Sequence, residues 1–353
     1  MYINGIGTAA PPARYTKLDC WEAFRRSAWF ERLSDRTRAL ARAVLLGENG
    51  MEARRLAVGS LAEVFRIDPD TLHRRFLEHA PQLATRAAAS ALDDAGLCAA
   101  DLDAIAVSTC TGYLCPGLSG HVIERLGLRP SMPAFDLVGQ GCAAALPNMQ
   151  LGRALLGSAP DCRNVLSICV EVSSAAMYLD DDPGVMVSAC LFGDGAGAAV
   201  LSSAATSGRR RLRWRDGESL LDPSQRESLM FEQRSGMLRN VLTRPVPELA
   251  ARYVDQVLGT VLGRARLEIP QIRTWIMHAG GRDVLRALEE KLRLGPQDLR
   301  YSAAVLREYG NLSSAFVYFV LQSALAQGAA GGWWWLGSFG AGFSCHGALL
   351  EVD

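Results

Sequence analysis

A chain of 353 residues, 49% of them hydrophobic, is long enough to bury one large two-lobed core or two domains. Lys+Arg and Asp+Glu both number 37, so there is no global positive field to hold nucleic acid or an anionic membrane. The nine cysteines are scattered, the start MYINGIGTAAPP lacks a charged segment followed by an apolar one, and GAAGGWWWLGSFGAG is broken by glycines, which predicts a reduced, cytoplasmic chain without a membrane span.

Along the chain, LATRAAASALDDAGL (83–97) has helical spacing and LDAIAVSTCTG (102–112) reads as a buried strand. Cys110 and Cys115 have no second pair and no nearby histidine, so the spacing predicts no metal site. MPAFDLV is a short strand that runs into DLVGQGCAAALPN, where a helix begins with Pro147 inside its first two turns, the place proline is best tolerated. Cys142 therefore stands at a helix start. Unpaired N–H groups and the helix dipole favour negative charge there, which predicts a thiol that ionises below its usual value of about 8.5 and labels with iodoacetamide ahead of the other cysteines. The competing expectation is a small buried hydrophobe, since free cysteine is among the most buried residue types.

NVLSICVEV (164–172) and CLFGDGAGAAVLS (190–202) follow as strands, with Asp194 in a GDG turn read as structural. TSGRRRLRWRDGESLLDPSQRES is the most polar long stretch, and residues 206–235 are read as a connection. Beyond it the order repeats: the helix ELAARYVDQVLGTVLGRARL (248–267), the strand IRTWIMHAGG containing His278, then GNLSSAFVYFVLQSAL, a glycine and a polar residue leading into a helix. The closing GSFGAGFSCHGALLEV echoes LFGDGAGAAVLS. Two halves with one β/α order predict an α/β duplication, 1–205 carrying Cys142 and 236–353 carrying His278 and Asn311, with Asn311 at the helix start that matches Cys142.

With these three residues on matching corners, the sequence resembles the type III polyketide synthases, the chalcone and stilbene synthase-like family of the thiolase fold. The likeness runs over essentially the whole chain and rests on GQGCAAA, LFGDGAG, WIMHAGG, YGNLSSA and GSFGAGF. It implies a layered αβαβα fold, and a mechanism in which Cys142 accepts an acyl group from a CoA thioester. His278 would stabilise the thiolate as an ion-pair partner and, with Asn311, donate hydrogen bonds to the thioester oxygen as malonyl-CoA loses carbon dioxide. The partners implied are an acyl-CoA starter, malonyl-CoA and a second copy of the chain, in a homodimer that includes the helix after CPGLSG and Cys115, with no cofactor beyond CoA thioesters.

The resemblance also places Phe192 between CoA tunnel and cavity, Asn240 near a second gate, and Cys110, Ser173, Ala176 and Ser313 on the cavity wall. The basic residues that hold CoA phosphates in plant members lack clean counterparts, leaving Arg36, Arg38, Arg42, Arg54 and Arg55 as candidates. Ala279 stands where the family has proline after the histidine. Small residues at 110, 173 and 176 predict room for a medium- or long-chain fatty acyl-CoA starter and alkylpyrone or alkylresorcinol products, because each buried methylene contributes about 0.8 kcal/mol; a malonyl-primed or aromatic-primed product is the alternative. A ketoacyl-acyl-carrier-protein synthase-like priming enzyme would use the same triad. A thiolase would need a second cysteine, and Cys345 sits in a glycine pattern that fits this poorly.

Overall fold

A computed structural model of the chain describes residues 1–158 and 160–353. The first half runs β1 (Tyr2–Ala9), β2 (Arg14–Thr16), α1 (Lys17–Arg25), α2 (Ala28–Arg32), α3 (Asp35–Leu46), β3 (Ala53–Arg55), α4 (Leu61–Val64), α5 (Pro69–Ala95), β4 (Ala104–Ser108), α6 (Leu118–Leu126), β5 (Ala134–Leu137), α7 (Ala145–Ser158), β6 (Asn164–Val172), α8 (Pro183–Leu191) and β7 (Asp194–Ser202). The second runs β8 (Leu212–Leu221), β9 (Leu229–Arg234), β10 (Met237–Leu242), α9 (Val246–Ala265), β11 (Ile272–Met277), α10 (Arg282–Leu292), α11 (Arg300–Tyr309), α12 (Phe316–Ala326), β12 (Gly332–Gly340) and β13 (Ser344–Val352).

The large sheet has the order β11-β12-β13-β8-β1-β7-β6-β4-β5. Its two arms follow one pairing rule. In the first, β1–β7 and β7–β6 are antiparallel and β6–β4 parallel; in the second, β8–β13 and β13–β12 are antiparallel and β12–β11 parallel. The arms meet where Tyr2 of β1 pairs with Arg213 of β8. Helices α7 and α12 each touch strands of both arms and so lie between them, while α5 covers the outer face of the first arm and α9 that of the second. This is the thiolase-like αβαβα layering.

Close approach explains the small residues. A Cβ on Gly7 of β1 would stand 2.2 Å from the Ala87 carbonyl oxygen and 2.3 Å from the Ala91 nitrogen, so β1 lies directly on the alanine face of α5. Helix α5 begins at Pro69 rather than at 83: Asp68 Oδ1 accepts from Thr71 N at 2.9 Å, and Gly96 ends the helix at φ 68°. Helix α12 is apolar all round because both arms enclose it, with every side chain from Phe316 to Leu321 at most 5% exposed. Each large apolar side chain buried there contributes roughly 1.5–3 kcal/mol.

The segment 206–235 departs from its reading as a polar connection. Leu212 and Trp214 are buried while Arg213 and Arg215 face solvent, and β8 pairs along the length of β13, so the second arm begins at 212. The charges masked a period-two strand pattern that only two apolar residues carry.

Candidate active site

The carboxyl ends of β4, β6 and β11 converge on the starts of α7 and α12, and the functional side chains come from these ends. Cys142 lies in a tight turn, Gly141–Ala143, just ahead of α7. Gly141 takes φ 54°, and a Cβ on it would meet the Ala341 Cβ at 2.9 Å. Gly340 at the end of β12 is closer still: a Cβ there would lie 2.6 Å from Ala143 N and 2.9 Å from Cys142 N. Ser338 Oγ donates to the Ala143 carbonyl at 2.9 Å. Behind the turn, the Asn148 amide of α7 donates to Ser108 Oγ (2.8 Å) and the Ile168 carbonyl (3.1 Å) and accepts from Ser167 Oγ (2.6 Å). Strands of both arms therefore fix the thiol.

His278 follows β11 and donates its backbone N–H to the Gly337 carbonyl at 2.9 Å, extending the β11–β12 pairing. Its ring packs edge-on against Phe316 and Phe339 at 5.4 and 5.0 Å between centroids, and its Nδ1 is buried without a partner. Asn311 bridges to the segment around Phe192: Asn311 N donates to the Leu191 carbonyl (2.9 Å) and its own carbonyl accepts from Gly193 N (3.0 Å). Its side-chain Oδ1 accepts from Ser313 N at 2.8 Å and its Nδ2 donates to the Gly280 carbonyl at 3.3 Å. Cys142, His278 and Asn311 line one cavity of about 580 Å³, together with Phe192 and Phe339. They are 8%, 1% and 3% exposed, so they form its floor.

Sequence reasoning missed Glu171. This fully buried carboxylate accepts from Cys110 N (3.1 Å), Thr111 Oγ1 (2.9 Å) and Ser314 Oγ. Ser313 connects it to the nucleophile: held at φ 51°, it places Oγ 3.2 Å from both Cys142 Sγ and Cys110 Sγ. A left-handed non-glycine residue costs on the order of 1 kcal/mol, which the surrounding bonds offset. The available signal was the lone carboxylate in NVLSICVEV, where a buried strand predicts none.

Burial dominates the titration of this floor. It pushes the Cys142 thiol up from 9.0 to about 12, against the pull of the Ser313 hydroxyl. That is roughly 4 kcal/mol, more than the 0.3–2 kcal/mol a helix start supplies. Burial thus opposes the ionisation that the helix start favours, and it also lowers His278 to about 3. Iodoacetamide should accordingly label the exposed Cys98 before Cys142, as peptide mass spectrometry would show. Labelling of Cys142 first would contradict the dominance of burial.

Two histidines link stability to pH, since burial also lowers His346 to about 4. Both folded values lie below the ordinary 6.5, so the unfolded chain binds more protons between 6.5 and these values, and stability falls as pH falls through that window. The slope is about 1.4 kcal/mol per pH unit for each group. Chemical denaturation between pH 7 and 5 should show it, and His346→Gln should halve it.

Comparison with known proteins fits this floor. Residues 57–217 match the FAE1/type III polyketide synthase-like protein family and residues 223–352 the C-terminal domain of chalcone and stilbene synthases. A 1,3,6,8-tetrahydroxynaphthalene synthase of Streptomyces peucetius subsp. caesius is 31% identical over 99% of this chain and 92% of that protein. The chain belongs to the type III polyketide synthases. It is a condensing acyltransferase. A 3,5-dihydroxyphenylacetyl-CoA synthase of Amycolatopsis balhimycina is 30% identical over 78% of this synthase and 74% of its own length. In fold, the crystal structure of the tetrahydroxynaphthalene synthase of Streptomyces coelicolor A3(2) gives a TM-score of 0.89 over 99% of both chains at 24% identity.

The remaining predicted residues of the synthase fall into separate places. Phe192 and Asn240 line both the main cavity and a chamber of about 30 Å³, and Asn240 Oδ1 accepts from Ser188 Oγ at 2.7 Å. Ser173 and Ala176 line that chamber, but they do not open a tunnel: Met177, Tyr178 and Phe231 take up the space their size leaves. Cys110 instead lines a further cavity of about 580 Å³ walled by Leu72, Phe76, Met230, Phe231 and Leu238. None of the five candidate arginines lines the main cavity. Arg54 is buried and donates to the Ala189 (2.6 Å) and Phe192 (3.0 Å) carbonyls, Arg55 pairs with Glu308 (2.8 Å) and Arg38 with Asp35 (2.8 Å). Arg42 lines a groove with Trp21 and Phe30, and Arg36 faces solvent. Arg54 and Arg55 thus tie β3 to the end of α8 and to α11, while Arg38 is paired within α3. No helix of the described residues is long and apolar enough to cross a membrane.

Proposed function

We propose that Cys142 is the nucleophile, with His278 and Asn311 its electrostatic partners, in the decarboxylative condensation of CoA thioesters. The supporting observation is the convergence of a thiol, an imidazole and a carboxamide on the floor of one cavity. As a thioester enters, the Cys142 proton passes to His278, the sulfur attacks the acyl carbon and displaces CoA, and His278 returns the proton to the departing CoA sulfur. The spare Asn311 amide N–H and the imidazole then donate to the thioester oxygen of malonyl-CoA, stabilising the enolate left when carbon dioxide departs. The enolate carbon attacks the acyl carbon on Cys142, the carbon–sulfur bond breaks to free the Cys142 sulfur and leave the lengthened chain on CoA, and for the next round that sulfur takes the chain back and expels CoA. The scheme is proposed to need no cofactor beyond CoA thioesters and to run in the cytoplasm.

For the starter, the reading best supported is malonyl-CoA itself, yielding a hydroxylated ring without an alkyl tail. The chamber beside Ser173 and Ala176 is only about 30 Å³, too small for an alkyl chain, and the named products of both relatives are hydroxylated aromatics. The fatty acyl-CoA reading, leading to alkylpyrones or alkylresorcinols, is favoured by the apolar cavity beyond Cys110 and by a Mycobacterium tuberculosis relative named for alpha-pyrone synthesis, 27% identical over 85% of this chain. Incubation with malonyl-CoA, alone and with a panel of acyl-CoA starters, separates them by product mass. Alkyl-bearing products made in preference to malonyl-only ones would overturn the first reading.

The homodimer is proposed to form along β5, which ends the sheet with its residues largely exposed beside α6. Tyr113, Phe135 and Val138 are 69%, 37% and 58% exposed there, an apolar patch around an unpaired strand edge. Sedimentation should give a dimer that Phe135→Glu converts to monomer.

A further inference from the structure

We propose that Tyr253 and Asp222 are positioning residues of the condensation, fastening from outside the turn that keeps Cys142 and His278 in place. This rests on the reading of those two as nucleophile and partner. The turn is residues 341–343, between β12 and β13, and its inner side bears on both groups. A Cβ on Gly340 would stand 2.9 Å from Cys142 N, and one on Gly141 would meet the Ala341 Cβ at 2.9 Å. Phe339, just ahead of the turn, packs edge-on against the His278 ring at 5.0 Å and lies parallel to Phe343 at 6.2 Å between centroids. A shift of this turn therefore moves thiol and imidazole together.

Glycine and alanine permit that close approach, but they carry no polar side chain to hold the turn where it is. Within it, Ser344 Oγ donates to the Ala341 carbonyl at 2.8 Å. The further fastening comes from Asp222. Its N donates to the Phe343 carbonyl (2.8 Å) and Phe343 N donates to its carbonyl (3.0 Å), which carries the β8–β13 pairing on into the turn. The Asp222 side chain is itself fixed: Oδ1 accepts from Ser224 N (3.0 Å) and Ser224 Oγ (2.6 Å), and Oδ2 accepts from the Tyr253 hydroxyl. Tyr253, on α9 and 5% exposed, sets its ring 5.5 Å from Phe343, and Arg252 donates to its hydroxyl at 3.0 Å. That hydroxyl lies between a guanidinium and a carboxylate, so both of its bonds are of the stronger, charge-assisted kind. The chain of contacts Tyr253–Asp222–Phe343–Phe339–His278 thus runs from α9 to the cavity floor.

Tyr253→Phe removes the hydroxyl and keeps the ring against Phe343. It should lower kcat for ring product about tenfold, as a displacement of less than about 1 Å at the reacting atoms would, and leave KM for malonyl-CoA unchanged. Asp222→Asn, which keeps a side-chain acceptor, should recover most of the rate that Asp222→Ala loses. Val257→Ala, one turn further along α9 against Gly347, weakens the packing of that helix without touching the turn and should keep the wild-type kcat below its melting temperature. Alkylation of Cys142 by iodoacetamide, followed by peptide mass spectrometry, needs no turnover and should run several-fold faster in Tyr253→Phe, since a loosened turn uncovers the thiol. Wild-type kcat in Tyr253→Phe, a loss confined to KM, an equal fall in Val257→Ala, or unchanged alkylation of Cys142 would each overturn the assignment. A wild-type chain that makes no product from CoA thioesters, with alkylation of Cys142 still faster in Tyr253→Phe, would instead overturn the proposed function and leave the fastening of the turn standing.

Discussion

Cys142→Ala is expected to abolish ring product, with a fall in condensation on the order of 10⁴-fold or more, while malonyl-CoA decarboxylation persists at a measurable rate. The two outcomes separate because the groups are separate. Removing the sulfur removes the only place in the scheme where an acyl chain waits for attack, but it leaves His278 and Asn311 in position: Asn311 is held through Ser313 N and Gly280, and His278 through β12. Alanine is also tolerated sterically, since the residue is flanked by Gly141 and Ala143 in an already buried turn. Release of carbon dioxide and formation of acetyl-CoA measure the surviving step, and product mass the lost one. Asn311→Ala should do the reverse and depress decarboxylation about 10²–10³-fold, as loss of an oxyanion donor does. Wild-type product from Cys142→Ala would transfer the nucleophile's role to another thiol, and Cys110, bonded to the same Ser313 hydroxyl, would be the first to examine.

What the sequence made legible was local. A cysteine between glycine and alanines at a strand-to-helix corner is a short-range pattern, and so are the histidine after β11 and the asparagine ahead of α12; the duplication then set them on matching corners. Properties decided by distant elements were not legible. The pKa of Cys142 shows this well, because a helix start can be read from neighbouring residues but the burial that outweighs it comes from β12 and the turn before α12 packing on it. Ser173 and Ala176 are small, yet Phe231 of the β9–β10 hairpin fills the space beside them. The N-terminal arginines carry charge without indicating which way a helix turns it, and α3 presents Leu40 and Val44 to the cavity instead. Glu171 is the intermediate case: its oddity is visible in the strand, but its six neighbouring donors come from the loop after β4 and the turn before α12.

Asp194→Ala is expected to destabilise the fold by about 3–5 kcal/mol and to lower activity as well, although the residue touches no substrate in the proposed scheme. Its carboxylate is fully buried and satisfies three donors from two distant segments: Oδ2 accepts from Ala57 N (2.7 Å) and Ser174 Oγ (2.6 Å), and Oδ1 from Ser174 N (2.8 Å). Alanine would leave two backbone N–H groups and a hydroxyl without an acceptor, each costing about 1–3 kcal/mol. It would also remove a negative charge near the buried Arg75, which donates to the Ser174 and Glu63 carbonyls. The effect on activity follows from chain continuity: Asp194 is the third residue of Phe192–Gly193–Asp194, and Gly193 N donates to the Asn311 carbonyl at 3.0 Å, so relaxation at 194 shifts the support of the catalytic amide. Asp194→Asn keeps one acceptor but turns an NH₂ toward a donor, and should cost less than alanine. Denaturant midpoints at unchanged slope measure the stability loss, and decarboxylation measured well below the melting temperature isolates the effect on Asn311. If Asp194→Ala unfolded within about 1 kcal/mol of the wild type, or decarboxylated at the wild-type rate, Asp194 would not be what anchors the Phe192 segment to Asn311.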